Sequence, residues 1–122
     1  GRECARKMLP GGGTLIYTGA SGSLRGKAGY GAFNSGKAAQ RTLAQAMAKE
    51  YGSEGLHVGH VVIDGGIAGE KWFSRLDNEP DQEEMKRFLS LDALTDAYWN
   101  LYRQDPSGWS FEVDLRTSIE DW

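Results

Sequence analysis

The chain has 122 residues, 39% hydrophobic and 11% aromatic, enough for one compact domain around one core. Its 14 basic and 17 acidic side chains leave a net charge of -3, so no overall positive field is present to attract a nucleic acid. No apolar run approaches the roughly 20 residues that span a bilayer, and "GRECARKMLP" lacks the apolar core of a signal peptide; a soluble, cytoplasmic protein with no membrane partner is expected.

In chain order, "RECARKML" reads as the last turns of a helix, basic near its end and stopped by Pro10 and three glycines. A domain rarely opens on a half-finished helix, so the chain is expected to be a piece of something longer. The single cysteine, Cys4, has no disulfide partner and no Cys or His neighbour at metal-ligand spacing, and is expected to be an inert thiol. Residues 14–18 read as a short buried strand, and "TGASGSLRG" follows as a Gly/Ser-rich turn. From about Tyr30 to Tyr51 the pattern is helical, with Phe33, Lys37, Leu43, Ala44 and Met47 at helical spacings and "YGSEG" as the stop. Residues 56–63, "LHVGHVVI", return to strand composition, and Asp64, Gly65 and Gly66 form the turn.

Strand, long helix and strand predict a βαβ unit with a parallel sheet and a right-handed crossover. Residues 69–90 are charged with scattered large apolar groups, which predicts a mobile surface segment ending in a short helix. "LDALTDAYWNLYRQ" is amphipathic, with Leu94, Ala97, Tyr98 and Leu101 on one face and Asp92 as the N-cap. Pro106 follows, and "WSFEVDL" alternates like a last strand. No repeat or linker divides the chain, so residues 1–122 are expected to be one partial domain.

The turn after the first strand has two readings. A dinucleotide loop needs glycines at fixed offsets and an acid about 20 positions on. "TGASG" fits its beginning, but Ser23 and Arg25 disturb the spacing, and Asp64 lies 38 residues beyond Gly26. The other reading is a strand end that presents hydroxyls to a substrate.

"GYGAFNSGKAAQRTLAQAMAKEYGSEGLHVGHVVIDGGI" resembles the segment of short-chain dehydrogenases/reductases that carries a Tyr-x-x-x-Lys pair on a helix, followed by a strand and a Pro-Gly turn. "TLIYTGASGS" is similar to the serine-bearing strand end that precedes that pair, and the tail from Ala97 is similar to the C-terminal end of a divergent subgroup. The resemblance implies an α/β, Rossmann-like parallel sheet with flanking helices, present only as its C-terminal half. It also implies NAD(P)-dependent redox chemistry on a small carbonyl or alcohol when the protein is complete. The dinucleotide half, with the residues that select NAD or NADP, would lie upstream of Gly1.

Carried over residue by residue, Lys37 is the lysine that holds the nicotinamide ribose hydroxyls and lowers the pKa of the tyrosine one turn earlier. Phe33 stands at that tyrosine's position and has no proton to give. The serine expected thirteen residues before it is Ala20; Ser21 and Ser23 are near but out of register. Tyr30 shares a helix face with positions 33 and 37 and is an alternative acid; packing in the loop is the other role open to it. Cofactor contacts are implied for Thr18 and Gly19 at the first strand's end, for Lys37, and for Gly65 and Ile67 after the second.

Trp72, Phe73, Met85 and Phe88 resemble the family's substrate lid and read equally as anchors of a surface helix. His57 and His60, three apart, do not share a strand face and have no partners at ligand spacing, so no metal site is expected. Trp99, Trp109 and Trp122 are expected in packing or at interfaces. Without its Tyr, the chain also reads as an inactive assembly module. The helix from Tyr30 to Tyr51 resembles the one through which family members dimerise, so a homo-oligomer, or pairing with an N-terminal half, is the partner expectation.

Overall fold

The computed structural model describes residues 1–74, 76 and 78–121; the Trp122 expectation falls outside them. Three parallel strands form the central sheet in the order β1 (Gly13–Thr18), β2 (Leu56–Asp64), β5 (Glu112–Arg116). Helix α1 (Arg2–Met8) leads into β1 and α2 (Gly31–Tyr51) links β1 to β2, the βαβ unit expected from the sequence. Between β2 and β5 come β3 (Gly66–Ile67), α3 (Glu70–Phe73), α4 (Gln82–Met85), β4 (Phe88–Leu89) and α5 (Leu91–Tyr102). The fold is Rossmann-like in part: a parallel sheet flanked by helices on both faces.

All nine residues of β2 are buried, as a central strand covered on both sides must be. Alternation sends Leu56 and Val58 to one face, where they pack with Ala5, Ala44 and Met47 of α1 and α2. Val61 and Ile63 point to the other, against Leu94 and Leu101 of α5. Gly59 also lies on the α5 side. A Cβ there would come within 2.7 Å of Leu101, so the missing side chain lets α5 seat closely.

Several local expectations need correction. Phe33 and Leu43 belong to the helical pattern of α2 but not to its buried stripe; each is 51% exposed, while Ala44 and Met47 face the sheet. The cap of α5 is Ser90, whose Oγ accepts from the Ala93 N–H at 3.1 Å; Asp92 sits inside the first turn, where its charge suits the helix dipole. The segment 69–90 holds more order than its composition suggests. It contains α3, α4 with an Asp81/Glu84 capping box, and β4, which pairs in parallel with β3 beyond the Asp64 turn. Among the described residues, no helix is long and apolar enough to cross a membrane.

Candidate functional site at the strand ends

In a parallel α/β sheet the crevice outside the carboxyl ends of the strands is the usual ligand site. Here that rim is made by Thr18, Asp64 and Arg116, the last residues of β1, β2 and β5. Lys37, in the second turn of α2, reaches it: its Nζ donates to the Thr18 carbonyl at 2.8 Å and to Gln40 Oε1 at 3.2 Å. An ammonium has three N–H donors, and two are used among the described residues, so one is open to a further acceptor. Thr18 Oγ1 shares a hydrogen bond of 2.7 Å with the Tyr98 hydroxyl and so joins the rim to α5.

Ser21 opens a single helical turn, Ser21–Ser23, that leads away from Ala20. Ser23 is buried, and its hydroxyl has no hydrogen-bond partner among the described residues. Tyr30 caps α2 by position, its ring half exposed with the Lys27 ammonium 5.0 Å from the centroid. Phe33 presents its ring to Lys37, with Nζ 6.0 Å from the centroid. No hydrogen bond joins Ser21 or Tyr30 to Lys37 among the described residues.

Two polar clusters at this end of the molecule carry more structure than the sequence suggested. Asp64 is buried and lies beside Arg116, its ladder partner on β5; Arg116 Nη1 and Arg25 Nη2 each reach its Oδ2 at 3.0 Å. Arg25 thereby fastens the loop after β1 to the end of β2. Gly65 follows with φ 138°, a conformation that a side chain would strain, and the chain turns there into β3. Asp64 therefore ties the ends of β2 and β5 to the loop after β1.

The second cluster joins β2 and β5 to α2. His60 is fully buried and is the ladder partner of Glu112. Its Nδ1 lies 2.9 Å from Glu112 Oε2, and Arg41 grips the same carboxylate through Nε at 2.6 Å and Nη2 at 2.8 Å. The Arg41 hydrogen bonds, with a smaller contribution from His60, hold the Glu112 carboxyl below the usual range despite its partial burial. An ionised carboxylate only accepts, so His60 Nδ1 carries the hydrogen. His57, on the α5 face, stacks on Trp109 at 4.8 Å and contacts the Ser110 carbonyl at 2.9 Å. The two histidines serve separate faces, and among the described residues no group of three or more metal-ligating side chains is assembled.

Beyond β2, Gly65, Gly66, Ile67, Lys71 and Trp72 line a shallow recess of about 420 Å³. Phe73 and Trp72 meet Phe88 edge-on at 5.7 and 6.0 Å, so these aromatics pack on one another while Trp72 and Met85 stay partly open to solvent.

No protein-family model matches the sequence, and no curated protein matches it. A solved structure does: a short-chain dehydrogenase from Rhodopseudomonas palustris is similar at a TM-score of 0.70 and 38% identity over 94% of this chain. The chain has a short-chain-dehydrogenase-like fold. It spans 43% of the length of that dehydrogenase.

Proposed function

We propose that this chain forms the substrate-side half of an oxidoreductase of the short-chain dehydrogenase/reductase type, acting with NAD(P) on a small carbonyl or alcohol. The observation that carries the proposal is the lysine of α2 set against the end of β1, with one N–H donor to spare. That placement fits the ribose of a nicotinamide nucleotide. Lys37 would hold its hydroxyls, while the backbone of Thr18, Gly19, Gly65 and Ile67 would line its bed. No glycine-rich turn of the dinucleotide pattern occurs in these 122 residues, so the phosphates would be held by an N-terminal half. The cofactor would supply or accept the hydride.

Proton transfer is where this chain departs from the family pattern. Phe33 has no proton, and its half-exposed ring leaves the position next to Lys37 without an acid. Tyr30, Ser21 or a solvent molecule would donate to the reduced carbonyl, each more slowly than a tyrosine whose pKa Lys37 depresses.

The test is NADPH binding by the complete polypeptide, followed by native mass spectrometry and titration. Lys37→Ala is expected to weaken binding by about tenfold or more, the worth of a hydrogen bond to a charged group. Phe33→Tyr is expected to raise carbonyl reduction. No cofactor uptake by the parent protein would overturn the proposal.

A second reading, assembly without turnover, is favoured by the outward face of α2, where Phe33 and Leu43 stand half exposed. The free edge of β1, paired only with β2 among the described residues, also needs a neighbour. A homo-oligomer built on α2, or an N-terminal half added beside β1, would cover them. Native masses in clean multiples of this chain, indifferent to NADPH, would select this reading.

A further inference from the structure

The His60, Glu112 and Arg41 cluster lies outside the contacts assigned to the cofactor, and its burial demands an explanation. His60 Nε2 has no hydrogen-bond partner among the described residues, an arrangement that costs stability and so calls for a reason in the ring's shape and place. What it touches is the end of β1. A Cβ added to Gly19 would overlap His60 Nε2, so the backbone at Gly19 rests directly on the imidazole edge. The Gly19 N–H donates to the Val61 carbonyl at 2.7 Å, which holds the same peptide down against β2. The preceding carbonyl, that of Thr18, is the acceptor for Lys37.

From His60 the contacts return to the helix. Glu112 holds His60 on one side and Arg41 on the other. Arg41 is four residues after Lys37, one turn along the same helix face. The contacts therefore form a ring: Lys37 to Thr18, Gly19 onto His60, His60 to Glu112, Glu112 to Arg41, and one turn of α2 back to Lys37. We propose that His60, Glu112 and Arg41 are positioning residues for Lys37, fixing both the height of the β1 end and the rotation of α2 so that the ammonium meets the Thr18 carbonyl. The Arg41 fork is suited to this because two parallel bonds set an angle as well as a distance. His60 acts from below as a spacer whose orientation Glu112 sets.

The functional consequence rests on the ribose-binding reading of Lys37, but the positioning itself can be read without a cofactor. The complete polypeptide, labelled with 15N, is examined for its side-chain ammonium signals at low temperature, beside Glu112→Gln and Arg41→Met, each checked for folding by circular dichroism. A Lys37 ammonium signal assigned in the parent by Lys37→Met is expected to vanish or shift in both variants. NADPH affinity is expected to fall roughly ten- to a hundredfold in Glu112→Gln. The double variant Glu112→Gln with Lys37→Met is expected to bind no more weakly than Lys37→Met alone, because the two act through one contact. If Glu112→Gln does not fold, Arg41→Met decides. A signal absent from the parent, or unchanged in the folded variants, overturns the proposal, as do additive losses in the double variant. A signal that follows Glu112 while Lys37→Met leaves NADPH binding intact supports the positioning and overturns the ribose reading instead.

Discussion

The sheet with α2 and α5, and the excursion between β3 and β4, are stabilised in different ways. In the first, β2 is buried along its whole length, apolar clusters fill both faces, and carboxylates held by arginines tie the strand ends together. In the second, two strands of two residues each and two single-turn helices are held by edge-on aromatic contacts and a capping box, with Trp72, Leu76 and Met85 left 44%, 39% and 39% exposed. A firmly packed frame beside a thinly packed excursion would serve the proposed oxidoreductase reading, in which a cofactor is held still while a substrate enters. The lid expected for Trp72, Phe73, Met85 and Phe88 requires that contrast in local stability.

Substitutions can break or sharpen the contrast. Leu101→Ala is expected to have the largest effect, about 3 to 4 kcal/mol in urea unfolding, because the leucine is 1% exposed and seated against Gly59. Asp64→Asn should follow at about 2 kcal/mol. It removes the charge that faces Arg116 and Arg25, but Arg25 is 45% exposed and can turn to water. A smaller and pH-dependent effect is expected from Glu112→Gln. The Glu112 carboxyl is held below its unfolded value by Arg41, so its stabilisation is present above the ordinary carboxylate range and is lost as pH falls through the depressed value. The variant should therefore show a shallower loss of stability on the acid side than the parent in thermal melts from pH 7 downward. Met85→Ala should cost least, less than about 1 kcal/mol, while hydrogen exchange in residues 82–89 quickens. If Met85→Ala proved as costly as Leu101→Ala, the two regions would be one cooperative unit and the contrast would fail.

Much of this architecture was legible in the sequence because it is periodic. The apolar run at 14–18, the helical spacing from 30 to 51 and the strand composition of 56–63 each point to an element, and their order points to a parallel sheet. Two-residue strands have no period, so the pairing of Gly66 with Phe88 and of Ile67 with Leu89 left no signal. The cap of α5 is expected at Asp92 and is Ser90: both residue types cap well, and only the backbone turn decides between them. At the candidate site, Lys37 is singled out only by the resemblance to the family's helix-borne lysine, and its closeness to the β1 end is what the structure adds. The His60, Glu112 and Arg41 cluster could not be anticipated, because its members are 52 and 71 positions from their partners. One clue was present. The alternation in "WSFEVDL" reads as a last strand, and the polar Glu112 within it and Arg116 just after it spend their charge on His60, Arg41 and Asp64.

The same long separation matters when the chain is made. Strand β2 and the whole of α2 leave the ribosome some 52 residues before Glu112 can reach His60. At about 5 to 20 residues per second, that is an interval of several seconds. During it, β2 lacks its β5 neighbour, Arg41 lacks its carboxylate, and the imidazole of His60 lies open on a raw strand. A newly made chain is thus most vulnerable to mispairing just after its most apolar strand appears, and Glu112 is the residue whose arrival ends that exposure.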